Sequence, residues 1–105
     1  FKKEEVVAIE TATDLLHQMG LYADRNKYPS ELSGGQRQRI AILQKILLKP
    51  SYLFLDEPTS GLDRNNKFLL LRLLQSYFDS GMKIILSSHD FETINFFDNK
   101  KIFDL

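Results

Sequence analysis

Cysteine is absent from the 105 residues, which excludes disulfides and thiolate metal sites and fits a reducing compartment. An excess of either charge is missing too. Fourteen Lys and Arg balance fourteen Asp and Glu, so no whole-molecule field draws the chain to nucleic acid or anionic lipid. Direct nucleic-acid binding is not expected. No apolar run approaches the roughly 20 residues that span a bilayer. Phe1 to Glu5 leads into a mixed, amphipathic stretch, not the basic-then-apolar pattern of a secretory signal. The expectation is a soluble domain whose membrane association would run through a partner. The glycines stand at 20, 34, 35, 61 and 81. None opens a G-x-x-x-x-G-K-[ST] pattern, so that type of phosphate-cradling loop is missing. The length allows at most one small domain with a modest core.

What is present alternates between helix and strand patterns. From about Lys3 to Met19, Val6, Ile9, Leu16 and Met19 recur at helical spacing, and Gly20 is a plausible C-cap. His17 on this segment reads as a solvated or half-buried side chain. Leu21 to Pro29 is a polar loop in which Tyr22 and Tyr28 read as packing residues. A helix is predicted from about Gly34 to Leu48, with Ile40, Leu43, Ile46 and Leu47 as its buried stripe. Arg37, Gln38 and Arg39 near its start read as a solvated face or local ion pairs. Tyr52 to Leu55 is a short apolar strand expected to be buried. Asp63 can cap a further helix from about Arg64 to Asp79, whose apolar face holds Phe68, Leu70, Leu71, Leu74, Tyr77 and Phe78. Lys83 to Ser87 is a second buried strand, followed by a short helix around Phe91 to Phe97, with Phe91 and Ile94 at i, i+3. Lys101 to Leu105 reads as a third strand. Strands alternating with helices indicate an α/β layered fold with parallel strands joined by crossover helices.

Chemistry concentrates between Tyr28 and Asp63. Ser33 and Gln36 form an S-x-x-Q capping box, and the free N–H groups of a helix start make an anion site. Gly34 and Gly35 carry no side chain, so a phosphate could come close to that backbone. Asp56 and Glu57 follow a strand directly, where a carboxylate can meet a metal ion or water at the end of a parallel sheet. Taken singly, a capping box is usually only a helix start and paired acids are often a loop cap.

The combination is more specific. Leu32-Ser33-Gly34-Gly35-Gln36, a helix, an apolar strand ending in Asp56-Glu57-Pro58, then Ser60-Gly61-Leu62-Asp63, resembles the ATP-binding-cassette (ABC) ATPase family. These are that family's signature motif, Walker B strand and D-loop. Leu86-Ser87-Ser88-His89-Asp90 resembles its switch-histidine segment. The resemblance covers nearly the whole chain but only the second half of the family's nucleotide-binding domain. It implies a partial P-loop NTPase fold that lacks the P-loop strand, with part of the helical subdomain over about 1–50 and the Walker B to switch-histidine region over about 51–105. The missing P-loop strand would be a central one, so the chain reads as part of a longer polypeptide. Leu43-Gln44-Lys45 departs from the family's usual Ala-Arg-Ala and puts the local packing in question.

In that family ATP and Mg²⁺ are sandwiched between two domains in a head-to-tail dimer. The resemblance implies that Ser33, Gly34, Gly35 and Gln36 close on the γ-phosphate held by a second ABC ATPase domain. It implies Asp56 as the Mg²⁺ residue, Glu57 as the base that polarises the attacking water, His89 as the sensor of the γ-phosphate, and Asp63 as a link across the dimer. Transmembrane permease subunits are the implied further partners. The implied location is cytoplasmic and peripheral, on the inner face of the cell membrane. The neutral charge, Gln36 and the Gln-Arg-Gln-Arg run favour the transport branch, with importers of polar amino acids as one form. A DNA- or ribosome-associated ABC ATPase, or a non-catalytic interaction module that keeps the half-site, are the alternatives.

Overall fold

The computed structural model describes residues 3–97, with side chains from residue 9 onward. The expected strand at 101–105 and the side chain of Val6 lie outside the described residues. The elements run α1 (Lys3–Gln18), two 3₁₀ turns (Tyr22–Asp24 and Pro29–Glu31), α2 (Gly34–Leu47), β1 (Tyr52–Asp56), α3 (Arg64–Asp79), β2 (Lys83–Ser87) and α4 (Phe91–Phe96). Each predicted segment within these limits forms the expected element to within a residue or so.

The helix boundaries have local causes. Gly20, at φ 68°, takes the left-handed turn that ends α1 at little steric cost. Ser33 and Gln36 close the capping box of α2: the Gln36 N–H donates to Ser33 Oγ at 3.1 Å, and Gln36 Oε1 accepts from the Ser33 N–H at 2.9 Å. Asp63 caps α3 by accepting from the Asn66 N–H at 2.8 Å.

β1 and β2 are adjacent and parallel, in a register that pairs Leu53 with Ile84 and Leu55 with Leu86. α3 connects them, as a parallel crossover requires. The core joins Leu15, Met19 and Leu21 to Ile42, Leu43 and Ile46 of α2, Leu53 and Leu55 of β1, and Leu70, Leu73 and Leu74 of α3. Truncating a fully enclosed member such as Leu74 to Ala costs about 2–5 kcal/mol.

Several sequence expectations are corrected here. Among the described residues the strands are covered on one face only: Leu53 and Leu55 are buried, whereas Tyr52, Phe54 and Ile85 are exposed, Phe54 by 63%. Among the described residues the apolar helix faces converge on one side of the pair, and strand alternation leaves every second residue on the other. On α1, Leu15 and Met19 enter the core while Ile9 is exposed. Periodicity located an apolar stripe there, and among the described side chains it is the end of the helix, with Leu16 packed beside Leu15 and Met19, that meets the core. On α2 the buried set is Ile42, Leu43 and Ile46, with Ile40 and Leu47 at its margin. Tyr28 is not a packing residue, being largely in solvent, and Phe91 is exposed while Thr93 takes the buried position of α4. His17 is exposed and stacks on Tyr22, ring centres 4.0 Å apart. Gln44 and Lys45 point to solvent, so the unusual residues leave the core undisturbed.

Candidate functional site

The start of α2 presents an open anion cradle. Its capping box uses the Gln36 N–H, and Arg37 continues the helix by donating to the Ser33 carbonyl at 3.0 Å. The N–H groups of Gly34 and Gly35 take no acceptor among the described residues. They lie where the helix dipole is positive. A Cβ on Gly34 would meet nothing within 4 Å, whereas one on Gly35 would stand 3.1 Å from Leu62 Cδ2. Leu62 therefore packs against Gly35, so the loop before α3 and the start of α2 form one surface. Ser33, Gly34 and Gly35 line an open cleft of about 580 Å³ with Ser60, Gly61 and Asp63.

Gln38 and Arg39 also line that cleft, and both correct the expectation of a solvated face. Arg39 is only 6% exposed. Its Nη1 donates to the Met19 carbonyl at 2.9 Å and to Asn66 Oδ1 at 2.8 Å. Asn66 Nδ2 in turn donates to Asp63 Oδ2 at 2.9 Å. Burial pushes the Arg39 guanidinium below its ordinary pKa, opposed by the nearby negative charges of Asp63 and Asp24. Gln38 is half-buried and donates to the carbonyls of Glu57 and Pro58. Sequence periodicity has no signal for either residue, because both partners are distant in the chain.

The acidic pair sits at the far end of β1. Asp56 is the last strand residue, exposed, and accepts a hydrogen bond from the Ser87 hydroxyl of β2. Glu57 lies beyond the strand, with a left-handed φ of 47° and its N–H donating to the Ser87 carbonyl at 2.9 Å. Asp56 is thus the last residue of the strand, whereas Glu57 already belongs to the left-handed turn that follows it. Glu57 Oε1 stands 3.6 Å from Nε2 of His89, whose ring is fully exposed. That is beyond hydrogen-bond length and too close for another heavy atom to lie between them. Asp90 is clamped behind His89 by the hydroxyl of buried Thr93 at 2.7 Å and by Lys67 Nζ at 3.0 Å. Because Thr93 spends its one proton on Asp90, Thr59 is the donor in the 2.8 Å contact between the two threonines.

The eight candidate residues thus fall into two groups. Ser33, Gly34, Gly35 and Asp63 face the cleft, with Gln36 capping its helix, while Asp56, Glu57 and His89 gather at the end of the strand pair and are not among the cleft residues. Among the described residues no cluster of three His, Asp or Glu side chains is arranged to hold a metal, and no helix is long and apolar enough to cross a membrane.

Comparison with known proteins shows the family. Residues 2–60 match the family described as ABC transporter. The chain is 38% identical over 89 residues to the arginine transport ATP-binding protein ArtM of Bacillus subtilis, covering 85% of this chain and 37% of the relative. It is 41% identical over 88 residues to the glutamine transport ATP-binding protein GlnQ of Escherichia coli, covering 84% and 36%. The chain thus spans little more than a third of the length of these two relatives. Among solved structures, the dimeric structure of MJ0796, a bacterial ABC transporter cassette, matches with a TM-score of 0.78 and 28% identity over 91% of this chain and 41% of that one.

Proposed function

This chain belongs to the ABC transporter family, and from that premise we propose that it supplies the signature, Walker B and switch-histidine elements of an ATP-hydrolysing subunit that drives solute transport. The observation that supports this most is the approach of His89 to Glu57 beside Asp56, at the end of two parallel strands. Arginine and glutamine transport by ArtM and GlnQ favours a polar amino acid as the solute.

The residues divide the work by position. The Gly34 and Gly35 N–H groups, with Ser33 and the Gln36-capped helix start, close on the γ-phosphate of ATP held by a second ABC ATPase domain. Fixed donors and a helix dipole stabilise that charge without reorganising. At the other site of the sandwich, Glu57 accepts a proton from the attacking water and His89 donates to the γ-phosphate. Asp63 lies at the rim, where the D-loop meets the partner domain. Asp56 is a single exposed carboxylate beside a hydroxyl. That donor set fits Mg²⁺, which keeps much of its water and takes one or two carboxylates plus phosphate oxygens. When bound, the ion neutralises phosphate charge. The subunit docks on transmembrane permease subunits and so lies on the cytoplasmic face of the membrane.

The test is steady-state ATP hydrolysis after a P-loop half is supplied to this chain. Glu57→Gln keeps the size and hydrogen bonding of the side chain but removes the base. ATP binding survives and turnover falls about 10²–10⁴-fold. Hydrolysis by the variant within a few-fold of the original would remove Glu57 from that role.

A further inference from the structure

We propose that Gln38 is a positioning residue for Glu57, holding the base in place from the signature helix. Its Nε2 donates to the Glu57 carbonyl at 3.0 Å and to the Pro58 carbonyl at 2.6 Å. Both acceptors are carbonyl oxygens, so the opposite amide orientation would set oxygen against oxygen. The two hydrogens of the amide nitrogen are thereby both used. The residue they hold needs holding: Glu57 has φ 47°, a left-handed conformation that costs a non-glycine residue energy and persists only when its surroundings enforce it. Its N–H is tied to β2 through the Ser87 carbonyl at 2.9 Å, and its carbonyl is tied to α2 through Gln38. The backbone of Glu57 is therefore pinned from two elements, which aims its carboxylate toward His89. Gln38 also lines the cleft at the signature glycines. A ligand that shifts the start of α2 would therefore act on the base of the other group through this amide.

The inference rests on Glu57 being the base, and the experiment separates the two. Two variants are compared in the protein complemented with a P-loop half: Gln38→Met keeps length but no donor, and Gln38→Lys keeps length and a donor. Losing both hydrogen bonds lowers kcat about tenfold, with KM for ATP within about twofold, while Gln38→Lys retains most of the rate. In the chain itself, the backbone coupling constant of Glu57 measured by NMR leaves its left-handed value in Gln38→Met and keeps it in Gln38→Lys. An unchanged kcat in Gln38→Met, or equal losses in both variants, overturns the proposal. If Glu57→Gln abolishes turnover and Gln38→Met does not, only the positioning role fails. If Glu57→Gln leaves turnover intact, the base assignment fails and this inference fails with it.

Discussion

Arg39 and Asn66 meet at 2.8 Å, a buried guanidinium donating to a side-chain amide oxygen. Through the Met19 carbonyl and the Asp63 cap, this contact ties the end of α1, the first turns of α2 and the start of α3 into one unit. Arg39→Met preserves much of the volume but leaves the Met19 carbonyl and Asn66 without this donor. The expected loss is about 1–3 kcal/mol, read from the urea midpoint. Arg39→Lys restores it only in part, since a lysine has no counterpart of the Nε that donates to the Gly35 carbonyl at 3.4 Å. A loss below about 0.5 kcal/mol for Arg39→Met would show that the three ends are held without it.

Gly34 and Gly35 separate folding from function. Gly34 begins α2 in open space, so Gly34→Ala meets no neighbour. Stability stays level or rises by less than about 1 kcal/mol, since Ala is the better helix former. If a phosphate lies against this backbone, the added methyl weakens ATP-dependent association with the second domain while the melting temperature holds. Unimpaired association in Gly34→Ala would move the phosphate elsewhere. Gly35→Ala, by contrast, presses on Leu62 and should disturb the D-loop as well.

The pH dependence of stability should carry the mark of Asp90. Hydrogen bonds from Thr93 and then Lys67 hold its carboxyl below the usual range. A carboxylate with a lowered native pKa stabilises the fold above its unfolded value, about 3.9, and loses that contribution as pH falls through the native value. Lys67 is the mirror case. Its hydrogen bonds to Asp90 and Glu92 raise its pKa, so its contribution is complete below about 10.4 and disappears as pH rises through the native value. Thermal melts from neutral to acid pH should therefore fall less steeply for Asp90→Asn than for the unmodified chain. Parallel acid limbs would mean that Asp90 contributes nothing.

By itself the chain should not hydrolyse ATP. Among the described residues the triphosphate would find chiefly the start of α2, worth about 0.3–1 kcal/mol per charge at an exposed site. Asp56 repels phosphate unless a cation bridges. Millimolar affinity requires about −4 kcal/mol, which these contacts reach only marginally. Calorimetric titration with Mg-ATP checks this. Saturable micromolar binding, or phosphate release that disappears in Glu57→Gln, would contradict it.

The sequence by itself determined what depends on neighbours within a turn or two. The Ser33–Gln36 box and the Asp63 cap are contacts over three residues, so the starts of α2 and α3 were legible in the residues that form them. The alternation of helices and strands was equally legible and brought β1 beside β2 in parallel, because a helical crossover admits that pairing. Motif order was enough to identify the family. Tertiary structure alone decided which polar side chains are buried and which apolar ones are bare. Gln38 and Arg39 looked like a solvated helix start, yet their partners, Glu57, Pro58, Met19 and Asn66, lie far along the chain. Tyr52, Phe54 and Ile85 looked like core, yet the helices among the described residues cover the other face of the strands. Local pattern specifies an amphipathic element, but the partner that covers each face is set by packing between segments, and so is the left-handed turn that aims Glu57 at His89.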